Sequence, residues 1–155
     1  MSIIYPVEGN TPLQPPPPWL NGTTATAQLA NTGEMVQYST TGVFVAPGTT
    51  TSVTKDIITD PSLEAQLALI VNITAVTGGD TLTVQINGKN KDGVVYPILT
   101  STALAAVATT PLRVGTGFTA VANLSANDML PADIQVVCTV AGTGTIAYGI
   151  DLIIG

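Results

Sequence analysis

Between Thr81 and Asn87 the chain alternates without a break. Leu82, Val84 and Ile86 fall on one side, and Thr81, Thr83, Gln85 and Asn87 on the other. A period of two predicts an antiparallel strand with one buried face and one wet face. The same signal, weaker, recurs along most of the chain after Glu34, where Thr, Val and Ile are abundant and turn residues return at short intervals. Residues 35–46 alternate and end at Pro47-Gly48, which predicts a turn. Residues 49–59 follow, anchored by Val53, Ile57 and Ile58, and Asp60-Pro61-Ser62 breaks the run.

Residues 62–76 carry two signals. Asp60 suits a helix cap with Pro61 at the first position, and Leu63, Glu64, Ala65, Gln66 and Leu67 are good helix formers. The β-branched stretch Ile70-Val71-Asn72-Ile73-Thr74 instead favours a strand over 65–76, after at most one helical turn. Thr77-Gly78-Gly79-Asp80 then predicts a hairpin turn into the strand that starts at Thr81, because glycine supplies the positive φ such turns need. Residues 88–93 form a polar loop tip, and 94–99 a strand whose Pro97 implies an edge or a bulge. The Ala-rich stretch 102–109 fits a short helix or a strand equally well. Leu112-Arg113-Val114-Gly115 reads as a short strand and Asn127-Asp128-Met129-Leu130-Pro131 as a turn. Residues 134–140, then Ala141-Gly142-Thr143-Gly144, then 145–154 predict a second hairpin.

Eight to ten short strands at this spacing predict an all-β domain over 33–155, an antiparallel β-sandwich or jelly-roll-like barrel. Residues 1–32 differ. They carry Pro6, Pro12 and the run Pro15-Pro16-Pro17-Pro18, closed by Trp19 and Leu20. Proline runs fix φ and favour a stiff polyproline II rod without internal hydrogen bonds. The expectation is an extended proline-rich arm that lies along its own subunit or a neighbour, with Pro15, Pro16, Pro17, Pro18, Trp19 and Leu20 as its contact residues.

Composition narrows the function. Charged residues are 9% of the chain, against about 25% in an average soluble domain. Thr, Ser, Asn, Gly and Ala stand where Lys and Glu are usual. Such a surface is hydrated through hydroxyls and amides but has little charge to hold copies apart, which suits a protein covered by other subunits. Four Lys and Arg against ten Asp and Glu give a formal charge of −6, a balance opposed to nucleic acid and to anionic membranes. Lys89 and Lys91 are the one close cationic pair, and Asp92 offsets them. The first residues lack a basic stretch and are interrupted by Pro6, unlike a signal peptide. The longest aliphatic stretches, near 67–71 and 103–108, are far shorter than a membrane span.

Catalytic chemistry is thinly represented. There is no histidine, and the single cysteine, Cys138, sits in an apolar run as a small core hydrophobe would. No phosphate-binding glycine loop and no G-x-S-x-G elbow occur. Asp56 with Asp60, and Asp128 with Asp133, are the nearest carboxylate pairs, and turn residues beside them argue for capping and solubility. No catalytic residue, metal or cofactor is expected, and the chain reads as a non-enzyme. A sugar-binding module would need an exposed aromatic platform. Trp19 lies in the arm, and Tyr38, Phe44, Tyr96 and Tyr148 fall in strand-like runs without a cluster.

Residues 65–155 carry Val71-Asn72-Ile73-Thr74-Ala75-Val76-Thr77-Gly78-Gly79-Asp80-Thr81-Leu82-Thr83-Val84-Gln85-Ile86, then Leu112-Arg113-Val114-Gly115, then Thr119-Ala120-Val121-Ala122-Asn123, and Leu130-Pro131 before the last strand pair. In style and order this resembles a recurring type of tailed-bacteriophage virion protein. The resemblance implies a small β-sandwich subunit that decorates and cements capsids, in multimers, often trimers, where capsid subunits meet. Its implied partners are copies of itself and the major capsid protein. Its implied location is the capsid surface of a virion, after synthesis in the host cytoplasm. The rival expectations are another virion part (tail, neck or head fibre) and a module that binds carbohydrate or a host surface.

Overall fold

The structure, a computed structural model, describes residues 36–38, 41–61 and 63–155, with side chains from residue 41 onward. The proline-rich segment, including Pro15 through Leu20, lies outside the described residues. The described residues are all-β, with no helix. Ten strands follow in order: β1 (Val36–Tyr38), β2 (Gly42–Thr49), β3 (Val53–Ile58), β4 (Gln66–Thr77), β5 (Thr81–Lys89), β6 (Val95–Thr100), β7 (Ala108–Gly115), β8 (Ser125–Ala126), β9 (Asp133–Ala141) and β10 (Thr145–Ile154).

They form two sheets packed face to face, β1-β3-β9-β5-β6 and β2-β10-β4-β7-β8. Four antiparallel pairs, β2 with β10, β3 with β9, β4 with β7 and β5 with β6, make one long ribbon whose tip is the β5–β6 turn. The ribbon is folded over, so that β4 also meets β10 and β5 also meets β9. That is the strand order of a jelly roll. β1 and the short parallel strand β8 extend its two edges.

Two sequence expectations are corrected by this order. Thr77–Asp80 and 141–144 are not hairpin turns. β4 and β5 lie in different sheets, as do β9 and β10, so each glycine-rich turn is an arch that carries the chain from one sheet to the other. The two arches pack on each other. The Asp80 carboxylate, 2% exposed, accepts the Gly144 N–H at 2.6 Å. The hairpin that does form joins β5 to β6, where Asn90 Oδ1 accepts the Asp92 and Val94 N–H groups at 2.9 Å each.

The Pro47-Gly48 turn is the third correction. β2 runs through it to Thr49, and the irregularity appears as register shifts against β10 instead. β2 is an edge strand, so a residue without an N–H is tolerated there. Pro97 behaves as expected: β6 is an edge strand, with a register shift where it meets Asn87. The undecided stretch 102–109 is irregular apart from a bridge between Leu104 and Leu82, until β7 begins at Ala108. At Asp60 the expected turn is present and stops after one cycle: Glu64 N–H donates to the Asp60 carbonyl at 2.8 Å, and Glu64 Oε1 accepts the Asp60 N–H at 3.0 Å.

Alternation decides what is inside. Leu67, Leu69, Val71 and Ile73 of β4 face Leu82, Val84 and Ile86 of β5, with Ile134, Val136, Ile146, Ile150 and Leu152 filling the space between the sheets. These side chains are essentially dry, and each contributes about 1.5–3 kcal/mol by burial.

Candidate interaction surface

The groups with most chemical potential lie in the core. Cys138 of β9 stands between Val53 of β3 and Val84 of β5 and is buried. Burial pushes its thiol up to about 12, against smaller downward effects of the Tyr148 hydroxyl and the Lys55 ammonium. A thiol held there is not a nucleophile near neutrality. It fills the core, as the sequence suggested. Tyr148 Oη donates to the Thr51 carbonyl at 2.8 Å. Lys55 points inward from β3, donates to the Phe44 carbonyl and sits 4.9 Å from the centroid of the Phe44 ring. Burial lowers the Lys55 pKa, with Cys138 acting in the opposite direction. An inward lysine next to an edge strand is a known guard against edge-to-edge pairing.

The carboxylates sort differently from the sequence pairs. Asp128 accepts the Met129 N–H at 2.8 Å, a turn role as expected. Asp56 and Asp133 come together across β3, β9 and β5 around Lys89, at 2.8 and 3.8 Å from its Nζ. Their separation in the chain hid this. Among the described residues no three Asp, Glu or Cys side chains are grouped to hold a metal ion. Lys91 pairs with the adjacent Asp92 at 2.9 Å, the offset foreseen in the sequence.

The two sheets differ on their outer faces. The first is polar, with Asp56 and Gln135 in one cross-strand row that ends on the buried Asn87. The second carries an apolar tract. Asp151 of β10 stands between Val43 of β2 and Ile70 of β4, and Ile70 opposes Pro111 of β7. In the next outward row Ile153, Ala68 and Arg113 stand side by side. Val43 is 59% exposed and Ile153 48%. Phe118, from the loop after β7, walls a groove of about 320 Å³ over Ala68, Ile70, Arg113 and Ile153. The sequence held the signal for this tract: Leu67-Ala68-Leu69-Ile70-Val71 and Leu152-Ile153-Ile154 are unbroken apolar runs, and such runs mark strands covered on both faces.

A second hollow, of about 460 Å³, opens at the end of the sandwich where β3 leads into β4 and the chain approaches β9. Glu64, Thr116, Met129 and Pro131 line it. The aromatic side chains from residue 41 onward do not gather on one face. Phe44 and Tyr148 are buried, Tyr96 is on β6 of the first sheet, and Phe118 belongs to the second. No helix among the described residues is long and apolar enough to cross a membrane. No family model matches the chain, and no curated protein matches it either.

Proposed function

We propose that the chain is a structural subunit of a virus particle, a capsid decoration (cement) protein of a tailed bacteriophage, which binds the assembled head and stabilises it. The observation that carries this reading is the sparsely charged exterior of the jelly roll. Of its four cations, Lys55 is turned inward, Lys89 is engaged with Asp56 and Asp133, and Lys91 with Asp92. Arg113 projects from the second sheet without an ion-pair partner among the described residues, beside an apolar tract. Such a surface neither attracts phosphates nor keeps copies apart, and it is suited to being covered. The resemblance of residues 65–155 to virion proteins supports the same reading. Jelly rolls serve both as capsid domains and as lectin domains, so the fold alone does not choose between them. The mechanism is mass action: a subunit that binds only the assembled shell lowers the free energy of that shell. Its partners are then further copies of itself and the major capsid protein, at the outer surface of the virion.

The test is location. Antibodies raised against the purified protein should decorate the heads of intact phage particles in electron micrographs. Labelling confined to tails or necks would move the protein to the rival virion part. Absence from every assembled particle, with binding to a glycan array instead, would overturn the reading. Removal of residues 1–20 is expected to lower occupancy on purified heads at least about 10-fold while the β-sheet circular dichroism spectrum is unchanged, since the proline run is the proposed contact with the neighbour. Undiminished occupancy would remove that segment from the mechanism.

A further inference from the structure

The outer face of the second sheet departs from the rule for a wet sheet, and it departs over only part of its length. Along β4 the outward positions Asn72 and Thr74 are polar, whereas Ala68 and Ile70 are apolar. Beside them stand Val43, Pro111 and Ile153. Two opposite charges stand within this tract. Arg113, the chain's only arginine, opposes Ala68 from β7, and Asp151 opposes Ile70 from β10. The two therefore sit diagonally across β4, separated by two strand spacings and two residues, about 12 Å between backbones. Among the described residues neither forms an ion pair.

We propose that this face is the contact between two copies of the chain, related by a two-fold axis. A two-fold lying in the plane of the face, on the perpendicular bisector between the two charges, exchanges their positions. It sets Arg113 against Asp151 of the partner subunit and Asp151 against Arg113 of the partner subunit. Ala68 and Ile70 then lie near the axis. A patch that carries one positive and one negative charge about an apolar centre is self-complementary, as an isologous interface requires. The five strands of this face together hold 40 residues, about 650 Å² of sheet, and the Phe118 loop beside them widens the surface toward the about 800 Å² per partner of a standard interface. The apolar side chains supply most of the affinity, and the two ion pairs set among them fix the register.

The inference rests on the self-association in the function proposed above, and it makes that contact specific. The virion resemblance implies trimers, whereas this face implies pairs, so the two differ in mass. Light scattering on the full chain, at increasing concentration, is expected to give two copies, about twice 15.8 kDa. Ile153→Lys is expected to give single copies with an unchanged β-sheet circular dichroism spectrum, since Ile153 faces outward. Arg113→Asp should weaken pairing about 10-fold or more by setting like charges together, and Arg113→Asp with Asp151→Arg should restore it. A protein that stays single at high concentration overturns both the pairing and the self-association reading. A trimer, or a pair indifferent to Ile153→Lys, overturns the pairing and leaves self-association standing. Pairing that appears only after residues 1–35 are removed identifies that segment as the natural occupant of the face, and it too overturns the proposal.

Discussion

Replacing Gly144 by alanine is expected to destabilise the domain by about 3 kcal/mol or more, at the severe end for a single methyl group. A Cβ at this position would run into the Thr77 carbonyl and would fall 2.8 Å from Gly78 Cα. All of these are backbone atoms, so no rotamer change relieves the overlap. Gly78 faces the mirror-image constraint, because its own Cβ would come 2.7 Å from Gly144 Cα. The two arches are thus in backbone contact, and the Asp80 carboxylate on the Gly144 N–H locks them together. Separating them would pull β4 from β10 and β5 from β9 at the same end of the sandwich. Gly79 is the control. It has φ of +77° but open space around its missing Cβ, so Gly79→Ala should cost only about 1 kcal/mol, the usual penalty for a left-handed alanine. Urea unfolding of the two variants measures the difference. Similar midpoints would mean that the arches yield independently and that their contact adds little.

The same arches show where sequence reasoning stops. Strands were legible because alternation is local: Leu82, Val84 and Ile86, the core residues of β5, could be named from the pattern of Thr81–Asn87, although Asn87, on the side expected to be wet, is buried. Pairing was not legible. A hairpin closed by Gly78-Gly79 would set Ile73 opposite Val84, both apolar, on one face. A hairpin closed by residues 142–144 would likewise set Cys138 opposite Tyr148 and Val136 opposite Ile150. An arch buries those same residues from two facing sheets, so the one-dimensional pattern fits both solutions. The choice is made by long-range partners, β7 and β10 for β4, and β6 and β9 for β5. Neither partner leaves a mark on the turn itself. The density of glycine was the one local hint, since close backbone packing demands it beyond what a turn needs. The candidate surface was half legible. Its apolar runs were plain in the sequence, but without strand order nothing joined Ile153 to Ala68 and Arg113 in a single row.

Stability is expected to fall as pH rises from about 9 toward 11, and Cys138 is expected to be the main cause. Its thiol is held up to about 12 in the folded chain, chiefly by burial, against an ordinary value near 9 in the unfolded one. Below the unfolded value both states keep the proton and the group has no effect. Between the two values the unfolded chain releases the proton and the folded chain does not, so each pH unit favours unfolding by about 1.4 kcal/mol. Tyr148, also raised by burial and by Cys138, acts with the same sign once pH passes its ordinary range. Lys55 acts with the opposite sign. Burial lowers its pKa, so the unfolded chain holds more protons there and stability is recovered as pH rises toward 10.5. Lys55 is only partly buried, so its contribution is screened and smaller. A net loss of about 2 kcal/mol between pH 9 and pH 11 should therefore appear in urea unfolding. Cys138→Ala should begin from a lower stability, through the small cavity it leaves, yet show a flatter alkaline limb. The native thiol should also resist alkylation at pH 8 until denaturant is added, because the reactive thiolate is absent from the folded state. An alkaline limb equally steep in Cys138→Ala would place the lost proton elsewhere, and rapid alkylation of the native protein would show that the gap between the sheets opens around β9 far more readily than its dry packing implies.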